Sequence, residues 1–322
     1  MPQLNLFEPN ERPAQAARLA PRLRALAAQG IYFGTSSWKY EGWLGSIYTP
    51  GRYSVRGRFS QRRFDTECLA EYAETFPAVC GDFSFYQFPS PDYWQDLFVG
   101  TPGTLQFAFK VPEEITVALW PRHARYGRRA GQANESFLDA GLLERQFTGP
   151  LSPYQDRVAT LIFEFGTIPR HVIANAGEFV ERLDGFLAEL PGGYRYAVEI
   201  RNPEYLGPGY FAALARHGAS HVYNAWTRMP DLAAQAALPG SSTTDFAVVR
   251  ALLRAGRSYE QAVSQFSPYR SIGETDPTTR DALVQIAGEA RQSGRPAYVF
   301  VNNRLEGHAP TTIEAVAGRV RA

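Results

Sequence analysis

The 322-residue sequence has little cysteine and little histidine, two and five copies respectively. Two cysteines are too few for the disulfide framework of a small secreted domain, and Cys68 and Cys80 lack the CxxC spacing of a zinc or redox site. We therefore expect both to be buried as small hydrophobic residues. His217 and His221 flank Gly218, which prevents them from sharing one helix face, so we expect no catalytic metal and no cofactor.

The chain also lacks a strong net charge and a long apolar run. Thirty-three basic and 32 acidic residues leave a net charge of +1, so no overall field attracts nucleic acid or anionic lipid, and any anion site must be local. No segment has the length of a membrane span, and the first twenty residues lack the apolar core of a signal peptide. These absences predict a soluble, cytoplasmic protein with no membrane partner.

Strand-like segments alternate with amphipathic, helix-like segments along the chain. The strand-like segments, rich in β-branched and aromatic residues, are 31–37, 80–86, 104–110, 159–165, 194–201, 219–224, 245–250 and 297–302, and helix-like segments include 65–76, 175–189, 210–217 and 277–293. Eight β-then-α units are the number that a TIM (β/α)8 barrel requires. The predicted fold is therefore an α/β TIM barrel over 31–322, a single domain with an N-terminal helical extension over 1–30.

An open doubly wound sheet is the second candidate fold. It is disfavoured because Gly34 is followed by Thr35-Ser36-Ser37 instead of a GxGxxG turn. A serine hydrolase is disfavoured for a similar reason, since no GxSxG motif occurs.

Several helix boundaries have local signals. Residues 11–29 read as a helix that Pro21 interrupts. Asp276 and Pro277 fit the N-cap and first position of one helix, and Thr311 with Glu314 fits a capping box that opens the last helix.

Charged residues recur where the predicted strands end, which is the face that carries the active site in TIM barrels. Side chains alternate along a strand, so Glu199 and Arg201 share the face opposite Val198 and Ile200. The same reasoning directs Lys110, Glu164, Glu199 and Arg201 toward the barrel axis. Buried charges require partners, so these residues form a structural ring of ion pairs, a ligand site, or both.

The catalytic candidates are Glu164 and Glu199, which would exchange protons, and Lys110, which would hold an anion or form a Schiff base. The substrate-binding candidates are the other polar and aromatic residues at strand ends and in the loops that follow them: Trp38, Tyr40, Tyr86, Arg201, Asn224, Trp226, Arg250, Asn302 and Asn303. Arg201 and Arg250 would hold the anion with Lys110. The aromatic residues would either pack the loops or stack on a flat ring.

Two arginine-rich segments follow the first and third predicted strands. Their members are Arg52, Arg56, Arg58, Arg62 and Arg63, and then Arg122, Arg125, Arg128 and Arg129. Clustered arginines are most often a solvated surface, and the alternative is contact with a nucleic-acid backbone.

Five motifs carry a resemblance to a known family. They are GTSSWKYEGWLGSIY after the first strand, FSFYQFP at the second, FAFKVPEEIT at the third, VEIRNPEY at the fifth and YVFVNNRLEGHAPTTI at the eighth. Together they resemble the domain-of-unknown-function family 72, over essentially all of 31–322. The resemblance implies a TIM barrel and leaves the activity open, because the family has no established one. Many members carry His where this chain has Val117, so no role of that His transfers.

The sequence as a whole favours an enzyme that acts on an anionic, ring-containing small molecule through carboxylate acid–base chemistry. A metal-independent hydrolase or lyase is the expected class, and a retaining glycosidase is disfavoured because the seventh strand ends in Arg250. Nucleic-acid binding or processing through the arginine-rich segments and non-catalytic ligand binding stay open as alternatives. We expect a monomer or a weak dimer.

Overall fold

The computed structural model describes residues 11–321, in which eight parallel strands close into a barrel. The strands are β1 (Ile31–Thr35), β2 (Ala78–Gly81), β3 (Gln106–Lys110), β4 (Val158–Phe165), β5 (Tyr196–Ile200), β6 (Ser220–Ala225), β7 (Ala247–Ala251) and β8 (Ala297–Val301). Each strand pairs with its chain neighbours, and β8 pairs with β1 from Ala297 opposite Ile31. The predicted TIM barrel is thereby confirmed. Residues 1–10 of the predicted extension lie outside the described residues.

Helices surround the barrel. The longer ones are α1 (Ala14–Ala27), α2 (Gln61–Ala73), α3 (Pro91–Val99), α4 (Ala176–Ala188), α5 (Pro208–Arg216), α6 (Tyr259–Phe266), α7 (Pro277–Gln292) and α8 (Ala309–Ala317). Shorter helical turns occupy the loops, including Phe83–Phe85, Glu113–Thr116, Ala124–Arg129, Leu232–Ala236 and Asn303–Glu306. Within residues 11–321, no helix combines the length and the apolarity needed to cross a membrane.

Two hydrophobic cores lie on the two faces of the strands. The larger one packs strand residues such as Phe107, Phe109 and Val198 against the helices. The smaller one fills the barrel interior with alternate residues, among them Cys80, Ala108, Ile162, Ala197, Val248 and Phe300. The side-chain alternation inferred from the sequence therefore holds. The residue two positions after each of these interior residues shares their side of the strand and lies at the carboxyl end of the barrel. Cys68 and Cys80 are both buried and free, as expected.

The second strand is shorter than predicted. The sequence predicts 80–86, whereas β2 ends at Gly81 and a 3-10 turn covers Phe83–Phe85. The Ser84 hydroxyl donates to the carbonyl of Lys110 at 2.7 Å, which stabilises the turn in place of sheet pairing. Phe83 packs on Phe109 with 5.9 Å between ring centroids, so the aromatic alternation here serves loop packing.

Two of the predicted helix boundaries need correction. α1 continues through Pro21, because the burial of Leu19, Leu23 and Leu26 compensates for the hydrogen bond that proline removes. The last helix begins at Ala309 behind His308, not at Thr311. Thr311 and Glu314 instead accept hydrogen bonds from the Gln15 side chain of α1, at 3.0 and 2.8 Å.

The predicted start of α7 is correct. The Asp276 side chain accepts from the backbone of Thr279 at 3.0 Å, and Pro277 is the first residue of the helix.

Candidate active site

A cavity of about 500 Å³ opens at the carboxyl ends of the strands. Seven of the candidates from the sequence line it: Tyr40, Tyr86, Lys110, Glu164, Arg201, Trp226 and Arg250. This volume lies within the range of pockets that hold small molecules. The position is also the one that TIM barrels use for their active sites.

Arg250 occupies the centre of the cavity floor. It follows Val248 in the interior row of β7 and is only 1% exposed. Its Nη1 donates to Glu164 Oε2 at 2.6 Å and also to Glu199 Oε2, and its Nη2 lies 3.4 Å from Asp82 Oδ1. One guanidinium therefore joins carboxylates from three parts of the barrel wall.

Lys110 and Arg201 complete this arrangement. Lys110 Nζ lies 3.0 Å from Glu164 Oε2 and 3.8 Å from Asp82 Oδ1. Arg201 Nη2 lies 2.8 Å from Glu164 Oε1 and 3.2 Å from Glu199 Oε1. We refer to Asp82, Lys110, Glu164, Glu199, Arg201 and Arg250 as the ion-pair cluster. Its three cations and three carboxylates alternate, so the cluster as a whole is neutral.

The cluster controls the charge of Glu164. Burial alone would raise the pKa of this carboxyl, but Arg201, Lys110 and Arg250 outweigh burial and hold its pKa well below the usual range. The carboxylates likewise raise the pKa of Arg250 against the effect of its burial. Glu164 is therefore an anion at neutral pH, suited to stabilising a cation and unsuited to donating a proton.

Aromatic rings lie beneath the cations of the cavity. Lys110 Nζ lies 3.8 Å from the centroid of Phe85, and the Arg201 guanidinium lies 3.7 Å from that of Trp226. The Arg125 guanidinium lies 4.6 Å from the Tyr86 centroid. One face of Trp226 and one of Tyr86 are thus covered by arginine. At these two residues, a flat ligand ring can stack only on the arginine plane or on the opposite face of the aromatic ring.

A second charged group forms the cavity rim after β3. Arg125 Nη2 donates to both carboxylate oxygens of Glu113, at 2.8 and 2.6 Å. The Tyr126 hydroxyl donates to Glu113 Oε2 at 2.8 Å, and burial together with this hydrogen bond raises the pKa of Tyr126 to about 12. Of this group, sequence reasoning singled out only Arg125, as part of an arginine-rich segment.

Five of the sequence candidates are absent from the lining among the residues that the structure describes, and one of them, Glu199, is fully buried within the ion-pair cluster. Asn224 is fully buried and donates to the carbonyl of Ile200 at 3.2 Å, which joins β6 to β5. Trp38 packs edge-on against Phe83, 6.1 Å between centroids. The remaining two are Asn302 and Asn303.

Asn302 and Asn303 act as structural caps. Asn302 Oδ1 accepts from the backbone of Arg304 at 3.0 Å. Asn303 Oδ1 accepts from Trp43 Nε1 at 3.2 Å and from the backbone of Ala309 at 2.7 Å. Short polar side chains that follow a strand satisfy local backbone groups, which is why they resembled ligand contacts in the sequence.

Sequence reasoning missed Asp82, Tyr259 and Arg304, all of which line the cavity. Asp82 had a usable signal, because it follows Ala78 and Cys80 in the interior row of β2. Because the second strand was predicted to extend to residue 86, Asp82 was not recognised as a strand-end residue. Tyr259 and Arg304 reach the cavity from α6 and from the turn after β8, and no periodicity predicts that meeting.

The two arginine-rich segments are partly neutralised. Arg52, Arg63, Arg125 and Arg129 lie within 4.0 Å of Glu74, Glu67, Glu113 and Glu114 respectively. No such ion pair involves Arg56, Arg58, Arg62, Arg122 or Arg128 within residues 11–321.

Across the same residues, no three His, Cys, Asp or Glu side chains are grouped to hold a metal ion.

Comparison with known proteins places the chain in a family. A family model described as protein of unknown function DUF72 matches residues 32–322. The chain belongs to the DUF72 family. The resemblance inferred from the five motifs is therefore confirmed, and with it the fold.

Two solved DUF72 structures are similar over most of the chain. The one from Thermotoga maritima is 22% identical and has a TM-score of 0.59, with 90% of this chain and 97% of that one covered. The one from Enterococcus faecalis is 16% identical with a TM-score of 0.58, covering 90% and 95%. At these identities the likeness concerns the fold.

A curated relative, the UPF0759 protein YecE of Escherichia coli K12, is 25% identical over 186 residues, which are 56% of this chain and 51% of YecE. The chain thus spans about half the length of the curated relative that it matches.

The low pKa of Glu164 predicts a pH-dependent stability. A carboxyl whose pKa is lower in the folded state contributes stability above its unfolded pKa of about 4.3 and loses it as the pH falls toward the folded pKa. We expect Glu164→Gln to be less stable than the wild type at pH 7, and the gap in unfolding free energy to shrink below about pH 4. Urea melts from pH 7 to pH 3 measure this, with Glu114→Gln as the control. A gap that stays constant over this range would contradict the assigned ionisation.

Proposed function

We propose that this DUF72 protein is an enzyme whose active site is the cavity above the ion-pair cluster, and that it acts on a small molecule with an anionic group and a flat ring. The observation that supports this is the placement of Lys110, Glu164 and Asp82 together in the lining of one cavity at the catalytic face of a TIM barrel. A hydrolase or lyase that relies on side-chain proton transfer fits this set of groups.

Burial separates the roles of the three carboxylates. Glu199 has no exposed surface and lies beneath the floor, so it is a positioning residue for Arg201 and Arg250. Glu164 reaches the cavity as a permanent anion, so its role is to hold Lys110 and to stabilise positive charge on the ligand. Asp82, with 32% of its side chain exposed, is the carboxylate most open to a ligand.

Lys110 is the proton donor in this proposal. Its ammonium lies between Glu164 and Asp82 on the face of Phe85. In this position one N–H of the ammonium would be directed toward the cavity. Asp82 would take up a proton on the same side of the ligand. Lys110, Glu164 and Asp82 are thus the residues that we expect to contact the reacting atoms.

A purely structural ring of ion pairs and a non-catalytic binding site are the alternatives. An ion-pair ring alone requires no open volume above it, whereas a cavity of about 500 Å³ is present. Catalysis and simple binding differ in what happens to the ligand, which can be measured directly.

We expect Lys110→Met to lower conversion at least 100-fold, in the range typical of losing a positioned acid or base. The purified protein is incubated with a panel of aromatic carboxylates, aryl phosphates and nucleotides, and the loss of each is followed by mass spectrometry. Arg182→Met, which changes an exposed arginine of α4, is the matched control and should behave as wild type. Binding without conversion in the wild type would contradict catalysis and favour the non-catalytic alternative.

Nucleic-acid binding is the second candidate, favoured only by the arginines of the two segments for which the described part of the chain offers no carboxylate partner. Adding DNA and RNA oligonucleotides to the panel distinguishes nucleic-acid binding from action on a small molecule. Contact with a phosphate backbone produces affinity that falls steeply with salt, and a small-molecule enzyme does not require such binding.

A further inference from the structure

The cations that line the cavity differ in one respect, namely whether a carboxylate already neutralises them. Lys110, Arg201 and Arg250 all pair with Glu164, and Arg125 pairs with Glu113. A bound anion would have to compete with these carboxylates. The fifth cation is Arg304, and no Asp or Glu of residues 11–321 lies within 4.0 Å of it.

Arg304 is nevertheless held in place. Its Nε is buried and has no hydrogen-bond partner in the described part of the chain, and its guanidinium lies 4.6 Å from the centroid of Tyr259. Its backbone N–H donates to Asn302 Oδ1 at 3.0 Å. Because Nε is enclosed, the groups that remain to bind a ligand in the cavity are the terminal amino groups of the guanidinium.

The surroundings of Arg304 are built by close loop contact. A Cβ added at Gly42 would lie 2.0 Å from the carbonyl oxygen of Pro268, so glycine lets the loop after β1 meet the loop after α6. This contact places Tyr40 against Tyr269, 5.5 Å between centroids. Arg304 acts on the pKa of both tyrosines, lowering it against the larger effect of their burial.

We propose that Arg304 is the anion-recognition residue of the cavity and that the ligand carries an oxyanion, a carboxylate in the first instance. A planar guanidinium that no carboxylate of residues 11–321 neutralises suits an oxyanion that accepts two hydrogen bonds. The lining contains one more cation than carboxylate once Glu199 beneath the floor is included, so a monoanion would leave the site neutral. Lys110, Arg201 and Arg250 then organise the ion-pair cluster and do not hold the anion.

This inference rests on the proposed use of the cavity as a ligand site, and it concerns binding alone. The probes are benzoate, its neutral isostere benzamide, and phenyl phosphate, with affinities measured by calorimetry. Wild type should bind benzoate at least tenfold more tightly than benzamide. Arg304→Gln should weaken benzoate at least tenfold and leave benzamide unchanged, whereas Arg182→Gln should match the wild type.

Arg304→Lys separates charge from geometry, since it keeps the positive charge and loses the planar guanidinium with its paired N–H donors. Its affinity for benzoate should lie between those of Arg304→Gln and the wild type. Circular dichroism melts establish that each variant is folded. Phenyl phosphate that binds more tightly than benzoate and depends on Arg304 would support oxyanion recognition and assign phosphate as the group.

Two results would overturn the inference. One is an Arg304→Gln variant that keeps the full preference for benzoate over benzamide, which would leave the cavity a ligand site and the proposed function intact. The other is a wild type that binds neither anion.

Discussion

Replacing Arg250 with methionine should lower the free energy of unfolding by about 3–5 kcal/mol, the loss expected when one partner of a buried ion pair is removed. Arg250 is almost completely buried, and its Nη1 bonds to both Glu164 and Glu199. Without it, Glu199 keeps only Arg201 as a charged partner among residues 11–321, and like-charged carboxylates face each other across the floor. Methionine fills most of the same volume, so the loss should come from charge and hydrogen bonding. Urea denaturation at pH 7 measures it.

Two further variants show whether the burial of Arg250 is the cause of the lost stability. Arg129→Met removes an exposed arginine that pairs with Glu114 and should change stability by less than about 1 kcal/mol. Arg250→Lys keeps the charge but cannot reach three carboxylates, so its stability should lie between those of the wild type and Arg250→Met. A loss below about 1 kcal/mol for Arg250→Met would mean that water already reaches the cluster.

Glu199→Gln should also cost about 3–5 kcal/mol, even though the two side chains have nearly the same shape. Glu199 is fully buried and accepts from Arg250 and from Arg201 Nε at 3.3 Å. A neutral amide cannot compensate two guanidinium groups, and its NH₂ group would face them. Thermal and urea melts of the two proteins decide between a structural and a catalytic role before any substrate is known.

The matched control for this variant is Glu114→Gln on the surface, for which we expect a change of no more than about 0.5 kcal/mol. Combining Glu199→Gln with Arg201→Met should cost less than the sum of the two single changes, because they break the same contact. Near-wild-type stability of Glu199→Gln together with lost turnover would instead make Glu199 a catalytic residue.

The central part of the candidate site could be predicted because strand residues alternate. Ala108, Ile162 and Ala197 face the barrel interior, so Lys110, Glu164 and Glu199, each two residues later, emerge at its carboxyl end. The rule failed where the chain left the strand early. Asp82 continues the interior row of β2, but the aromatic pattern after it resembled a longer strand and drew attention to Tyr86 instead.

Asn302 and Asn303 were predicted to line the cavity and do not, for a different reason. A polar residue after a strand can face a ligand or bond to nearby backbone, and the local sequence is the same in both cases. Asn303 accepts from Trp43, which is 260 residues away along the chain. Only the closed barrel brings those two loops together.

The sequence by itself determined the number of strands, the face on which each charged side chain lies and the family of the protein, because these depend on local periodicity and on short motifs. Only the tertiary structure decided which cations are neutralised. Lys110, Arg201 and Arg250 meet Glu164 because barrel closure brings the ends of β3, β4, β5 and β7 together, whereas Arg304 reaches the same cavity without a carboxylate partner among the described residues. The ion pairs of Glu164 act over a few ångströms and join residues far apart in the chain, so no local pattern encodes them.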